Sequence, residues 1–172
     1  IDALEANDEV QAVQVNHYIE ERATTPNDTQ FGSQWHHVEG ADHDIDSDEA
    51  WDISTGGYTA NGDRIVVCIL EGGGSDWNHV DLIDNHWVNS GEIAGNGIDD
   101  DGNGYVDDVN GWNATSGNDG ISTGSHGTAL SGMIGATGNN NLGVAGVNWS
   151  VGLMQVQMGG LTESNVIAAY SY

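Results

Sequence analysis

Apolar positions and their spacing divide the chain into a small number of elements. The alternation Val10-Gln11-Ala12-Val13-Gln14-Val15 predicts a half-buried strand that ends in the charged Glu20-Glu21-Arg22. Ala23-Thr24-Thr25-Pro26-Asn27-Asp28 holds the only proline and reads as a linker between a small N-terminal piece and the main body. Ile45, Glu49, Ala50 and Ile53 recur at helical spacing with acidic residues in the first turn, predicting a short helix that ends at Thr55-Gly56-Gly57. Arg64-Ile65-Val66-Val67-Cys68-Ile69-Leu70 is a continuous apolar run between Gly62-Asp63 and Gly72-Gly73-Gly74. It predicts a strand buried on both faces, as in a parallel sheet.

Residues 90 to 125 are dominated by Gly, Asp and Asn, with one apolar island at Tyr105-Val106; ion binding or substrate contact explains a loop of that length better than idleness does. Ser125 to Gly135 then predicts a helix of small and apolar residues, opened by the polar, Gly-bounded His126 and followed by an Asn-Gly turn. Val151 to Met158 predicts a strand, and Thr162-Glu163 opens a final helix with Val166, Ile167 and Tyr170 on one face. Strands alternating with helices make the fold class α/β with a mostly parallel sheet, and the C-terminal strands such a sheet needs are expected beyond Tyr172.

Composition narrows the partners. The 172 residues suit one domain or part of one, and Lys+Arg of 2 against Asp+Glu of 27 gives a net charge of −25. Such a chain repels nucleic acid and anionic membrane surfaces, and it needs counterions or bound divalent cations to limit self-repulsion. No apolar run approaches the length of a membrane span. Cys68 is the only cysteine, and its apolar surroundings predict a buried, inert thiol.

Two clusters suggest metal chemistry. Asp99-Asp100-Asp101-Gly102-Asn103-Gly104 places oxygen side chains at alternate positions with a glycine at the turn, like the first half of a calcium loop. Asn110 stands where a bidentate glutamate would close that site, leaving Asp107 and Asp108 as substitutes. His36, His37, Asp42 and His43 match no compact zinc spacing and read as exposed polar residues.

Three ordered segments resemble the subtilisin-like serine proteases (subtilases). Ile65 to Leu82, ending Ser75-Asp76-Trp77-Asn78-His79-Val80-Asp81-Leu82, resembles their aspartate motif, and His126-Gly127-Thr128 with its helix resembles their histidine motif. Asn89 to Asp108 resembles an insertion found in bacterial members. The order, acid before histidine, also agrees. The resemblance runs from about Asp28 to the C-terminus. It implies a subtilisin-like parallel sheet with helices on both faces, incomplete at the C-terminus, for residues 23–172, and the end of an inhibitory propeptide for residues 1–22.

The chemistry implied is peptide-bond hydrolysis by acyl transfer, with His126 as general base. Its acidic partner departs from the family pattern. Counting back from Asp81 puts Gly72 at the catalytic place unless a residue is inserted among Gly72, Gly73 and Gly74, so Glu71 is the candidate and Asp76 a weaker one. A glutamate reaches roughly 1.5 Å further than an aspartate, one C–C bond, which lets a shifted backbone still present a carboxylate. The nucleophilic serine segment and the oxyanion-hole asparagine segment are absent, and Ser122, Ser125 and Ser131 belong to the histidine's own loop and helix. Ala129 stands where members often have a second histidine.

The resemblance further implies a calcium ion held by Asp28, Asp81 and Asn140 with the carbonyls of Gly138, Leu142 and Val144, beside the acidic-loop candidates Asp99, Asp101, Asn103 and Asp107. Hence the expected partners are Ca2+, a peptide or protein substrate, and the remaining part of the same protein or an assembly partner. The expected setting is secreted or extracellular. The alternative is an inactive subtilase relative that serves as a calcium-dependent structural or assembly module.

Overall fold

The computed structural model describes residues 23–41, 43–160 and 162–172. The strand and propeptide readings of residues 1–22, and Asp42, lie outside the described residues. In chain order the regular elements are α1 (Ser47–Ile53), β1 (Val66–Glu71), β2 (Gly111–Asn113), α2 (Ser125–Gly135), β3 (Gly152–Gln157) and α3 (Glu163–Tyr170), with single 3-10 turns at Phe31–Ser33 and Ile83–Asn85. The strands form one parallel sheet in the order β1-β3-β2. Glu71 pairs with Gln157, and Gln157 pairs with Asn113, so all three strands end level at one edge of the sheet. That edge, at the carboxyl ends of parallel strands, is where open α/β sheets carry their sites.

The fold is α/β with a parallel sheet, as the strand and helix alternation predicts. β1 nevertheless differs from the strand expected to be buried on both faces. Among the described residues it pairs with β3 alone, and its residues alternate: Ile69 is buried, whereas Val66 and Cys68 are exposed. Cys68 is therefore an exposed free thiol, not the buried one its apolar neighbours suggested. An edge strand with one open face leaves every second side chain uncovered.

The core is the cluster Ile69, Leu82, Ala136, Val151 and Leu153, with Val67, Ile134 and Val144 packed against it. Truncating one of these, such as Leu153 to alanine, costs about 2–5 kcal/mol because the site cannot collapse fully. α2 packs on β1, and its small residues permit the approach. A Cβ on Gly135 would lie 2.9 Å from Leu153 Cδ2.

The carbonyls at the C-terminal end of α2 are taken up by the segment that returns after it and by Asn85. Val147 N donates to Met133 O, Asn148 N to Ile134 O and Gly146 N to Ala136 O, while the buried Asn85 Nδ2 donates to Gly135 O. A helix end buried without such partners would be unstable. The helix is thus fixed at the end far from its histidine.

The other helices differ from their sequence pattern. α1 starts at Ser47 and buries Ser47 and Trp51, leaving Ile45 and Ile53 exposed, because the Trp51 indole packs between Phe31, His37 and Trp149 and donates to Val147 O. In α3, capped by Thr162 as expected, the buried residue is Ala169, and Ile167 and Tyr170 face outward. The supposed linker is tied to the body: Pro26 and Asp28 are buried, and Asn27 Oδ1 accepts from Asn141 N. His37 is wholly buried rather than exposed, with Nε2 on Ala145 O and Nδ1 on Ser47 Oγ, a contact between segments 108 residues apart in sequence.

Candidate active site

His126 is the second residue of α2, and Glu71 ends β1, so helix start and strand end meet at the carboxyl edge of the sheet. His126 Nδ1 lies 3.1 Å from Glu71 Oε2. Among the described residues Glu71 is the one carboxylate within ion-pair distance of this imidazole; Asp76 is not. The Glu71 side chain is 15% exposed and the imidazole 79% exposed, so the acid is sheltered while the histidine presents most of its ring outward. Such a carboxylate favours the tautomer with its proton on Nδ1, which leaves Nε2 as the basic nitrogen.

Close backbone contact makes the geometry possible. The loop Gly72-Gly73-Gly74 lies directly on the start of α2: a Cβ on Gly127 would meet Gly74 O at 2.1 Å and Glu71 Cγ at 3.1 Å. Gly74 itself has φ +73°, and its Cβ would strike Ser122 O at 2.2 Å. Only glycine is accommodated at both places. Thr128 fastens the same joint, its Oγ1 accepting from Asp76 N at 2.8 Å and donating to Gly124 O at 2.7 Å. Below it the Ser75 and Ser131 hydroxyls bond at 3.0 Å. The three glycines after Glu71 thus form a loop packed against the histidine's own helix.

The outer face of α2, including Ser125, Ala129 and Met133, lines a groove of about 640 Å³ with Asp76, Leu82 and Val144. Ala129, at the place of the family's second histidine, is exposed in this wall.

The two expected cation sites have different chemistry. Asp28 and Asp81 are buried side by side beneath the turn Gly138 to Val144. Asp81 accepts from Asn140 Nδ2 and Val144 N, and Asp28 Oδ2 accepts from Asn139 N at 2.6 Å. Asp28 Oδ1 is buried with no hydrogen-bond partner among the described residues. Burial, with the Asp81 carboxylate beside it, raises the Asp28 pKa above its ordinary value. Two buried carboxylates, an amide and an orphaned oxygen fit a hard cation, which would balance charge that no cationic side chain among the described residues offsets.

In the acidic loop, ligand atoms of Glu92, Asp99 and Asp101 lie within 4.8 Å of one another. Glu92 was not among the residues the motif pointed to. Asp107 is not in this group and accepts from the backbone of Asn96 and Gly97, whereas Asn103 stays beside the group, donating from Nδ2 to Asp101 and Asp108 while its Oδ1 accepts from Tyr105 N. Glu92 enters because its carboxylate reaches across the loop to accept from Asp100, Asp101 and Asp107 N–H groups, a long-range contact that no local spacing encodes.

A model of the subtilase family matches residues 62–172, nearly two thirds of the sequence. The chain belongs to the subtilase family. It is 48% identical over 85 residues to subtilisin-like protease 1 of Plasmodium falciparum, covering 48% of this chain and 12% of that protein. To the extracellular basic protease of Dichelobacter nodosus it is 28% identical over 170 residues, 92% of this chain and 26% of that one. A solved structure of a protease from Pseudoalteromonas arctica superimposes with TM-score 0.56 at 30% identity, over 84% of this chain and 43% of its own. The chain thus spans between 12% and 26% of the curated relatives cited here. The relatives it matches are named as proteases. Among the described residues no helix is long and apolar enough to cross a membrane.

Proposed function

We propose that this chain is the N-terminal part of the catalytic domain of a secreted, subtilisin-like serine endopeptidase, in which Glu71 replaces the usual aspartate. The observation that carries the reading is the 3.1 Å approach of Glu71 Oε2 to His126 Nδ1 at the carboxyl edge of a parallel sheet. In the reaction, a serine supplied by the remainder of the protein attacks the peptide carbonyl. His126 Nε2 takes the hydroxyl proton and then delivers it to the leaving amine, so the imidazole begins and ends neutral. Glu71 holds the ring in the tautomer that makes Nε2 the base and offsets the positive charge while the proton resides there.

Calcium, when bound by Asp28, Asp81 and Asn140 with the carbonyls of Gly138, Leu142 and Val144, would supply charge balance at the junction of the N-terminal arm and the turn after α2. The extracellular name of the Dichelobacter relative supports the secreted setting.

The test is covalent labelling of the whole protein by a serine-directed fluorophosphonate, with peptide hydrolysis measured in parallel. Labelling is expected, with Glu71→Gln lowering kcat by ~10⁴ as loss of the acid's tautomer control does in such triads. Absence of both labelling and hydrolysis in calcium would instead identify the inactive structural module.

A further inference from the structure

Two glutamines occupy interior positions of β3 where an apolar side chain would be cheaper. Gln155 is 2% exposed and Gln157 is 8% exposed. A buried amide is costly unless its donors and acceptors are engaged, so what each one binds shows what holds it there. Gln155 Nε2 lies 3.4 Å from Ser131 Oγ, midway along α2. Gln157 is placed differently. In a parallel pair, residues in register project to the same face, and Gln157 is in register with Glu71. Its Oε1 accepts from Ser122 N at 2.8 Å, four residues before His126, and its Nε2 reaches Gly72 O at 3.5 Å, one residue after Glu71. The same Oε1 would be 3.0 Å from a Cβ on Gly74. One side chain therefore touches both backbone segments whose relative position sets the Glu71 to His126 distance.

We propose that Gln157 is a positioning residue that clamps the glycine loop after Glu71 to the segment leading into His126, holding the two side chains in hydrogen-bond register. It rests on the reading of Glu71 and His126 as a catalytic pair and adds to it the part that keeps the pair aligned. The need for a clamp follows from the sequence. A run of three glycines has maximal backbone freedom, and Glu71 sits at its entrance with a longer side chain than aspartate has. The backbone of Glu71 is held on the β3 side, by its pairing with Gln157 and by Met158 N donating to Glu71 O. A misplacement of about 1 Å at a reacting pair costs on the order of 100-fold in rate.

The test uses the whole protein with 15N-labelled histidine, His126 being assigned by comparison with His126→Gln. Above the pH at which the ring titrates, the wild type is expected to hold His126 mainly with its proton on Nδ1. Gln157→Met keeps the volume and loses both polar contacts; it is expected to shift the ring toward the Nε2–H form, to expose the Ser122 amide to exchange, and to lower kcat by roughly 100-fold with KM little changed. Gln157→Glu keeps the acceptor for Ser122 and should restore part of that amide's protection. Gln155→Leu, on the same face but away from both loops, should leave the tautomer unaltered, which separates a clamp from general core stability. An unchanged tautomer and unchanged Ser122 exchange in Gln157→Met would overturn the clamp while leaving the catalytic reading intact. A wild type with its proton on Nε2 would overturn both. A protein that shows the expected tautomer shifts and yet neither labels nor cleaves would keep the clamp and lose the protease reading.

Discussion

The two carboxylate-rich regions contain the same kinds of residue in opposite electrostatic conditions. In the loop around Asp99 to Asp108, the carboxylates already have donors: Asp99 accepts from Gly102, Asn103 and Gly104 N–H groups, and Glu92 from three more. Most of that loop is exposed, so water screens what the N–H groups do not satisfy. Around the turn after α2, Asp28 and Asp81 are 5% and 3% exposed, and one Asp28 oxygen has no hydrogen-bond partner among the described residues. Sequence density of Asp and Asn therefore misleads about demand for a cation. The conspicuous loop can hold its shape through N–H donors, whereas the inconspicuous pair has no cationic side chain beside it among the described residues.

The largest expected effect follows from supplying or removing that charge. Calcium at 100 times its dissociation constant would stabilise the fold by about 2.7 kcal/mol, raising the melting temperature by roughly 5–10 °C. Asp81→Asn should abolish most of this response in calorimetry with and without chelator, and Asp99→Asn should leave most of it. The reverse ranking would break the contrast between the two regions.

Next in size is Gly143→Ala. Gly143 has φ +22°, and a Cβ there would lie 2.3 Å from Asp81 Oδ2, so the substitution strains the turn and displaces a proposed ligand together. A loss of about 1–3 kcal/mol is expected from the backbone alone, read from denaturant unfolding, with a weaker calcium response beside it.

A pH effect distinguishes the arm that carries Asp28. His37, bonded to Ser47 and Ala145, is held by burial below its ordinary pKa of 6.5, so the folded state favours the neutral ring. Its contribution to stability is present above pH 6.5 and is lost as pH falls toward the lowered folded value. Stability of the wild type should thus decline faster below pH 6.5 than that of His37→Gln. Equal slopes in paired melts across that range would remove His37 as the cause.

The smallest effect is expected at Glu92→Gln. Glutamine keeps one acceptor oxygen for the loop N–H groups, and a change of within about 1 kcal/mol is expected. Calorimetric calcium titration should show the weaker of two binding phases diminished and the stronger one unaltered.

What the sequence disclosed depended on how local the cause was. β1, α2 and β3 were legible because each is a run of suitable residues between glycine-rich breaks, and His126 because its neighbours Gly127 and Thr128 do visible work at the joint. β2 escaped notice: three residues, Gly111 to Asn113, become a strand only by pairing with β3. Glu71 could be named as a candidate, but its arrival at His126 depended on three glycines packing against α2, which is a tertiary contact. Glu92, His37 and Gln157 were not legible as site or anchoring residues, since each acquires its role from partners distant in the chain. Ile167 and Tyr170 had helical periodicity and yet lie exposed, because periodicity identifies a face without saying what covers it.

The half-paired edge of β1 has a practical consequence for handling the protein. Among the described residues no strand pairs with its outer side, beside exposed Val66 and Cys68, which leaves a template for another extended segment. Mutual repulsion between molecules carrying −25 each is what opposes such pairing in dilute buffer. Raising the ionic strength shortens the reach of that repulsion to about 3 Å at 1 M salt. For the segment 1–172 studied by itself, concentrated salt is thus expected to favour self-association, which light scattering with and without a reducing agent would check.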